Sequence, residues 1–214
     1  MATKTHRRAH SRSALYAPSE DYQEHGWGDT FAALSEQYPT HYMGKFWLNP
    51  APYLMRANDL VHKLGLAECP PKKILDLGCG VGYFAHYCMK QGHDVLGVDK
   101  PERPIEILTD VLGVPFRAYR IMANTPLPDF CQGYETVTIF GVNLKHPCGE
   151  WWSEQDYEYL VRNILDLLPL GGEMIWRPNL HPPNMFLLEP DWWSRFPVDT
   201  ECTKPFQMRV RKNA

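Results

Sequence analysis

Ile74-Leu75-Asp76-Leu77-Gly78-Cys79-Gly80-Val81-Gly82-Tyr83 passes from a short apolar run into three alternating glycines and then into a helical pattern. The run has the length of a strand and is bounded by turn residues, so it reads as a buried strand ending in a tight connection. Residues without a Cβ let the chain turn sharply and leave backbone N–H groups open to a ligand at the start of the next helix. Alone, such a turn is only a strand-to-helix connection, and its surroundings say whether it does more.

Those surroundings alternate between strand and helix patterns. Tyr83 to Lys90 reads as a helix closed by Gly92, Asp94 to Asp99 as a second strand, Ile105 to Leu112 as a helix and Phe116 to Met122 as a third strand. Glu135 to Gly141 is a fourth strand, followed by an amphipathic helix from Ser153 to Leu168, with Ser153 at its N-cap and Asp156 in its first turn;. Gly172 to Arg177 is a fifth strand, residues 184–194 a helix, and Val198 to Thr203 with Phe206 to Arg211 a closing pair of strands. Upstream, Leu54, Asn58, Val61 and Leu64 fall at helical spacing over 53–65, with Gly65 at the stop;. The pattern predicts an α/β fold with a doubly wound, mostly parallel seven-stranded sheet. In such sheets the ligand lies beyond the carboxyl ends of the strands, where the strand order reverses.

The 214 residues are 44% hydrophobic and 22% charged, with a net charge of −3, which suits one globular domain and opposes a main role in binding phosphate backbones;. That domain is expected over 21–214. Within it, residues 21–52 are rich in aromatic side chains and read as a lid or cap, and residues 1–20, basic and without apolar periodicity, read as a disordered tail;. The basic residues at 4–12 and 209–212 read as solvated termini, so nucleic acid is not an expected partner. No segment speaks to oligomeric state.

No apolar run approaches the roughly 18 residues of a membrane span, and the basic start has no apolar segment behind it, so no membrane is expected and a cytoplasmic location is the default. The cysteines at 69, 79, 88, 131, 148 and 202 form no C-x-x-C pair and read as reduced thiols, while the scattered histidines offer no metal-ligand spacing;.

Asp99 closes the second strand 21 positions after Gly78, the separation at which an acid can accept both hydroxyls of a ribose;. A dinucleotide fingerprint G-x-G-x-x-G needs glycine at 83, where this chain has Tyr83 and places its third glycine at 82. That weakens the reading as an NAD(P)-dependent oxidoreductase. The G-x-G-x-G loop preceded by Asp76 resembles motif I of the class I, Rossmann-like S-adenosylmethionine-dependent methyltransferases, and the resemblance runs in element order from about residue 54 to the C-terminus. A C-terminal antiparallel strand pair belongs to that family.

The resemblance implies S-adenosylmethionine as cofactor and S-adenosylhomocysteine as product. Gly78, Cys79 and Gly80 would line the amino-acid end of the cofactor, Asp76 would steady the loop or the methionine ammonium, and Asp99, beside Lys100, would hold the ribose. Met122, Ala123 and Asn124 match the stretch near the adenine, where the family usually carries an acidic or polar side chain. Phe140 and Gly141 match the segment facing the methionine end. No N-P-P-Y or D-P-P-Y follows, which disfavours methylation of a base or a glutamine amide by that motif; the expected acceptor is a small molecule, methylated on O, N or C.

Methyl transfer from a sulfonium needs alignment and, for O–H or N–H acceptors, removal of a proton. His146, in the loop after the fourth strand, is the candidate base, because an imidazole exchanges protons near neutral pH. Asn143, Arg177 and His181 are acceptor-side candidates, and Trp27, Tyr42 and Trp47 of the lid offer cation–π faces to a sulfonium. The alternative is a binding protein that keeps this fold without catalysis.

Overall fold

The computed structural model describes residues 26–179, 181–203 and 207–213. The expected tail over 1–20, the first residues of the expected cap and Phe206 lie outside them. The described residues up to Ala51 form one compact unit, and those from Pro52 onward form a second.

In the first unit, α1 (Trp27–Gln37) follows Gly26, whose φ of 65° is one a residue with a Cβ adopts only at a cost;. Trp27, Phe31 and Leu34 recur at helical spacing and are buried together, with the Trp27 and Phe31 rings stacked at 6.4 Å;. Beyond it comes α2 (Lys45–Leu48), and the His41 ring packs 4.6 Å from Tyr42 and 5.5 Å from Trp47. Trp47 is buried, and Tyr42 is 62% exposed.

The second unit opens with α3 (Ala51–Lys63) and continues through β1 (Lys73–Leu77), α4 (Tyr83–Lys90), β2 (Asp94–Asp99), α5 (Arg103–Val111), β3 (Phe116–Ala118), β4 (Thr136–Phe140), α6 (Glu154–Leu167) and β5 (Glu173–Arg177). A 3-10 stretch (Pro182–Leu188), α7 (Pro190–Trp193), β6 (Val198–Thr203) and β7 (Gln207–Lys212) complete it. The seven strands form one sheet in the order β3-β2-β1-β4-β5-β7-β6, parallel through β5, with β7 antiparallel to both its neighbours.

Period-two patterning splits each central strand between two faces. Leu75, Leu77, Val137, Ile139, Met174 and Trp176 join a core with Tyr157, Leu160, Val161 and Ile164 of α6 and with Trp192, Trp193 and Phe196. Trp176 meets Trp193 edge-on at 6.4 Å, an arrangement favoured by the ring quadrupoles;. The other face carries Asp76, Thr136, Thr138 and Phe140, and here Phe84 of α4 meets Phe140 edge-on at 4.9 Å;. Successive strands run outward from β1 to β3, and β4 then returns to the opposite side of β1. The reversal therefore lies between β1 and β4, and the loops leaving these two strands are neighbours;.

Two expected elements are corrected. The third strand ends at Ala118 rather than Met122, because the chain leaves the β2 ladder after Asp99 pairs with Ala118. The helix expected over 184–194 is a 3-10 stretch followed by the short α7, broken where Pro190 has no N–H to continue the helix;.

Candidate active site

The loop between β1 and α4 is built on left-handed backbone: φ is 78° at Gly78, 55° at Gly80 and 86° at Gly82. Gly78 also faces the loop after β4, where an added Cβ would lie 2.2 Å from Cγ2 of Val142. Its position therefore requires glycine on two counts. The N–H groups of Gly78 and Cys79 donate to the Val98 carbonyl at 2.7 and 3.1 Å, tying the loop to the end of β2. Cys79 turns its sulfur toward Gly97, and burial pushes its thiol pKa up, so it is a neutral packing group there.

Asp99 completes this cradle. One carboxylate oxygen accepts the Gly80 N–H at 2.8 Å and the other accepts the Lys100 N–H at 2.7 Å. Each oxygen keeps lone-pair capacity for a further donor, which suits a vicinal diol. Burial raises the Asp99 pKa against the opposing pull of these two N–H groups and the Lys100 charge, while Glu102 adds a smaller push upward. The Lys100 ammonium is paired with Glu102 at 2.5 Å.

Asp76 lies beneath the loop, 2% exposed, and its Oδ1 accepts from the Thr138 hydroxyl at 2.7 Å. Burial lifts its pKa to about 7, with Thr138 pulling it down and Asp99 adding a smaller push up. A raised pKa means that the folded protein holds a proton that the unfolded chain releases between pH ~4 and ~7. Stability from this group is thus lost as pH rises through that window. Asp76→Asn keeps the shape and removes the titration. Its melting temperature should exceed that of the wild type by about 3–8 °C at pH 8 and by much less at pH 4. Equal gains at both pH values in a scanning calorimeter would show that Asp76 is not a protonated buried acid.

On the acceptor side, Gly141, with φ of 65°, donates its N–H to the Arg177 carbonyl at 2.9 Å. Asn179 clamps the same corner by donating to the Gly141 carbonyl and, at 3.0 Å, to Oδ1 of Asn143. Asn184, buried behind it, donates to the Asn179 carbonyl at 2.9 Å and to the Tyr157 hydroxyl at 3.3 Å. Trp151 bridges the two loops, its ring 4.0 Å from that of His181 and 4.1 Å from the Lys145 ammonium. His181 is thus a stacking partner of Trp151, and Arg177 stands exposed at the end of β5.

His146 donates through Nε2 to Oδ2 of Asp156 at 3.1 Å. Asp156 also takes Nδ2 of Asn124 at 2.6 Å, so Asn124, left-handed at φ 51°, commits its side-chain amide to α6. Met122 and Ala123 precede it, half-buried. One sheet edge therefore gathers Asp76, Gly78, Cys79, Gly80 and Asp99 on the β1–β2 side and Phe140, Gly141, Asn143, His146, Arg177 and His181 on the β4–β5 side. Trp27, Tyr42 and Trp47 belong to the first unit. Sequence reasoning did not single out Asp156, Thr138 or Asn184 as site residues, and it reached Val142 and Asn179 only as members of the segments after the fourth and fifth strands. For Asp156 and Thr138 a signal existed: a Ser-x-x-Asp cap, and a hydroxyl on the Asp76 face of an apolar strand.

A cleft of about 420 Å³ lies at the opposite end of the sheet, among Leu64, Leu66, Lys72, Glu135, Glu173 and Arg209. Within it Glu173 pairs with Lys72 at 2.7 Å and with Arg209 at 3.1 Å. It shares no residue with the glycine-loop edge. Among the described residues no group of His, Cys, Asp and Glu could hold a metal ion, and no helix is long and apolar enough to cross a membrane.

The chain matches the family described as "Methyltransferase domain" over residues 49–175. It is 46% identical over 46 residues to a ubiquinone biosynthesis O-methyltransferase of Acinetobacter baylyi, covering 22% of this chain and 18% of that protein. A protein of the same name from Pseudomonas savastanoi is 25% identical over 138 residues, or 62% of this chain and 54% of the other. The chain thus spans about half the length, or less, of these curated relatives. Among solved structures, a TehB-like SAM-dependent methyltransferase from Corynebacterium glutamicum superposes with a TM-score of 0.52 at 21% identity, over 78% of this chain and all of that one. N-methyltransferase NodS from Bradyrhizobium japonicum has the same score at 11% identity, over 76% of this chain and 98% of its own.

Proposed function

The chain belongs to the methyltransferase domain family, and from that premise we propose that it transfers a methyl group from S-adenosylmethionine to a small-molecule acceptor. The observation that carries the reading is the Gly80–Asp99 bond. It joins a left-handed glycine loop to a half-buried carboxylate with capacity for a ribose diol. The residues present fit the cofactor: the backbone of Gly78 to Gly82 would hold its methionine end and Asp99 its ribose, and the bound group would supply an activated methyl. This chain's own side chains then align the acceptor, exclude water and take up a proton.

An acceptor oxygen is the favoured atom, since the curated relatives are named O-methyltransferases. The net charge of −3 supports a small molecule rather than a nucleic acid, and six cysteines without a disulfide suit the cytoplasm;.

Calorimetric titration with S-adenosylhomocysteine tests the cofactor reading, and absence of binding at about millimolar ligand overturns it. Transfer of labelled methyl into cell-extract fractions, with mass analysis of the product, tests catalysis. Binding without any transfer would support a binding protein of this fold instead. Charge-assisted hydrogen bonds to a ribose are worth about 1.5–3 kcal/mol, so Asp99→Ala should weaken S-adenosylhomocysteine binding by about 10–100-fold. Unchanged affinity would remove the ribose assignment.

A further inference from the structure

We propose that Asp156 is a positioning residue that holds His146 as the proton acceptor for a weakly acidic hydroxyl on the acceptor molecule. The proposal rests on the methyl-transfer reading above. Asp156 is 5% exposed, and its carboxylate accepts four hydrogen bonds from three segments of chain. Oδ2 takes the Ser153 N–H at 2.8 Å, the Ser153 hydroxyl at 2.7 Å and Nε2 of His146 at 3.1 Å, while Oδ1 takes Nδ2 of Asn124 at 2.6 Å. A helix cap needs only the Ser153 bonds. The other two reach out of the helix, to the loop after β4 and to the turn following β3.

The loop fixes the backbone of this residue as well. The main-chain N–H of His146 donates to the Glu150 carbonyl at 2.9 Å and its main-chain carbonyl accepts the Gly149 N–H at 2.9 Å, inside the bridge that pairs Lys145 with Trp151. With Nε2 committed to a carboxylate, which can only accept, the neutral ring carries its proton there and Nδ1 keeps a bare lone pair. Nδ1 has no protein partner among the described residues, and the side chain is 31% exposed at the functional edge of the sheet.

A base so prepared matters for an acceptor atom that is a weak nucleophile until it loses a proton, which describes a hydroxyl. The hydroxyl proton passes to Nδ1 as the oxygen pair attacks the methyl carbon of the sulfonium donor. One O–C bond forms and one C–S bond breaks, and the sulfur keeps the bonding pair as a neutral thioether. The imidazolium charge is left beside the Asp156 carboxylate, which stabilises it.

Two readouts test this. At alkaline pH, nitrogen-15 spectra of the uniformly labelled wild type should show His146 protonated on Nε2 and bare on Nδ1, and the reverse tautomer overturns the proposal. The second is a panel of phenols whose pKa values run from about 7 to about 10, assayed for methyl transfer. Asp156→Asn should slow transfer to the least acidic phenol by about 10²-fold and to the most acidic, already ionised, by less than about threefold. A uniform loss across the panel indicates a merely structural role and overturns the proposal. So does transfer to none of the phenols by protein that binds S-adenosylhomocysteine, whereas failure to bind that ligand overturns the cofactor reading instead. Ser153→Ala removes the cap oxygen and leaves the imidazole bond, so it should lower the melting temperature and spare the rates. If Asp156→Asn does not fold, His146→Ala gives the same comparison of acidic and weakly acidic phenols.

Discussion

Replacing Gly80 with valine is expected to abolish S-adenosylhomocysteine binding, raising the dissociation constant by at least about 10³-fold, with a native circular dichroism spectrum. At φ 55° a β-branched side chain is strained by roughly 1–2 kcal/mol, and the loop relieves that strain by moving;. The movement withdraws the Gly80 N–H from Asp99, so the ribose carboxylate loses its anchor while a Cβ and two methyls enter the space the ligand needs. Each 1.4 kcal/mol is a tenfold change in affinity, so a strained loop, a displaced acid and a filled cradle together exceed three decades. A titration curve like that of the wild type, from protein with native ellipticity, would reduce the loop to a structural turn.

His146→Ala should slow methyl transfer by roughly 10²–10⁴-fold and leave cofactor affinity within about twofold, because the lost interaction exists only as the proton moves. His146→Gln should be as slow. An amide can bond Asp156 and fill the site but takes no proton at neutral pH. The measurement is a single-turnover rate with saturating cofactor. A value within about threefold of wild type would leave alignment alone as the source of catalysis.

The cofactor edge was legible in the sequence because its parts are local. A short apolar run, three glycines and an acid closing the next strand are each written in fewer than ten residues, and the parallel pairing of Asp76 with Gly97 brings them together. The acceptor edge was legible only as a list of loop residues. What organises it is long-range: Asn124 and His146 meet at a carboxylate that in sequence looks like an ordinary N-cap acid, and Asn179 reaches back to Gly141. No periodicity encodes such contacts. The third strand ends earlier than its composition suggests because Tyr119 and Ile121 prolong the apolar stretch after the backbone has left the ladder, and both pack, partly buried, against the core without strand pairing. Over 184–194 one helix was expected, and the chain instead breaks at Pro190, whose missing N–H separates the 3-10 stretch from α7;.

The two outer strands of the sheet have a consequence for how the molecule behaves in a crowded solution. A free edge offers a row of unpaired N–H and C=O groups on which another chain can template itself. Here one border is β3, three residues long and bearing the exposed Arg117, and the other is β6, which sets exposed Asp199 and Glu201 along its length. The first is too short to seed a ladder, and the second meets an identical copy of itself with like charge against like charge. Growth of the sheet from molecule to molecule is thereby opposed at both ends, and the seven strands stay a closed set.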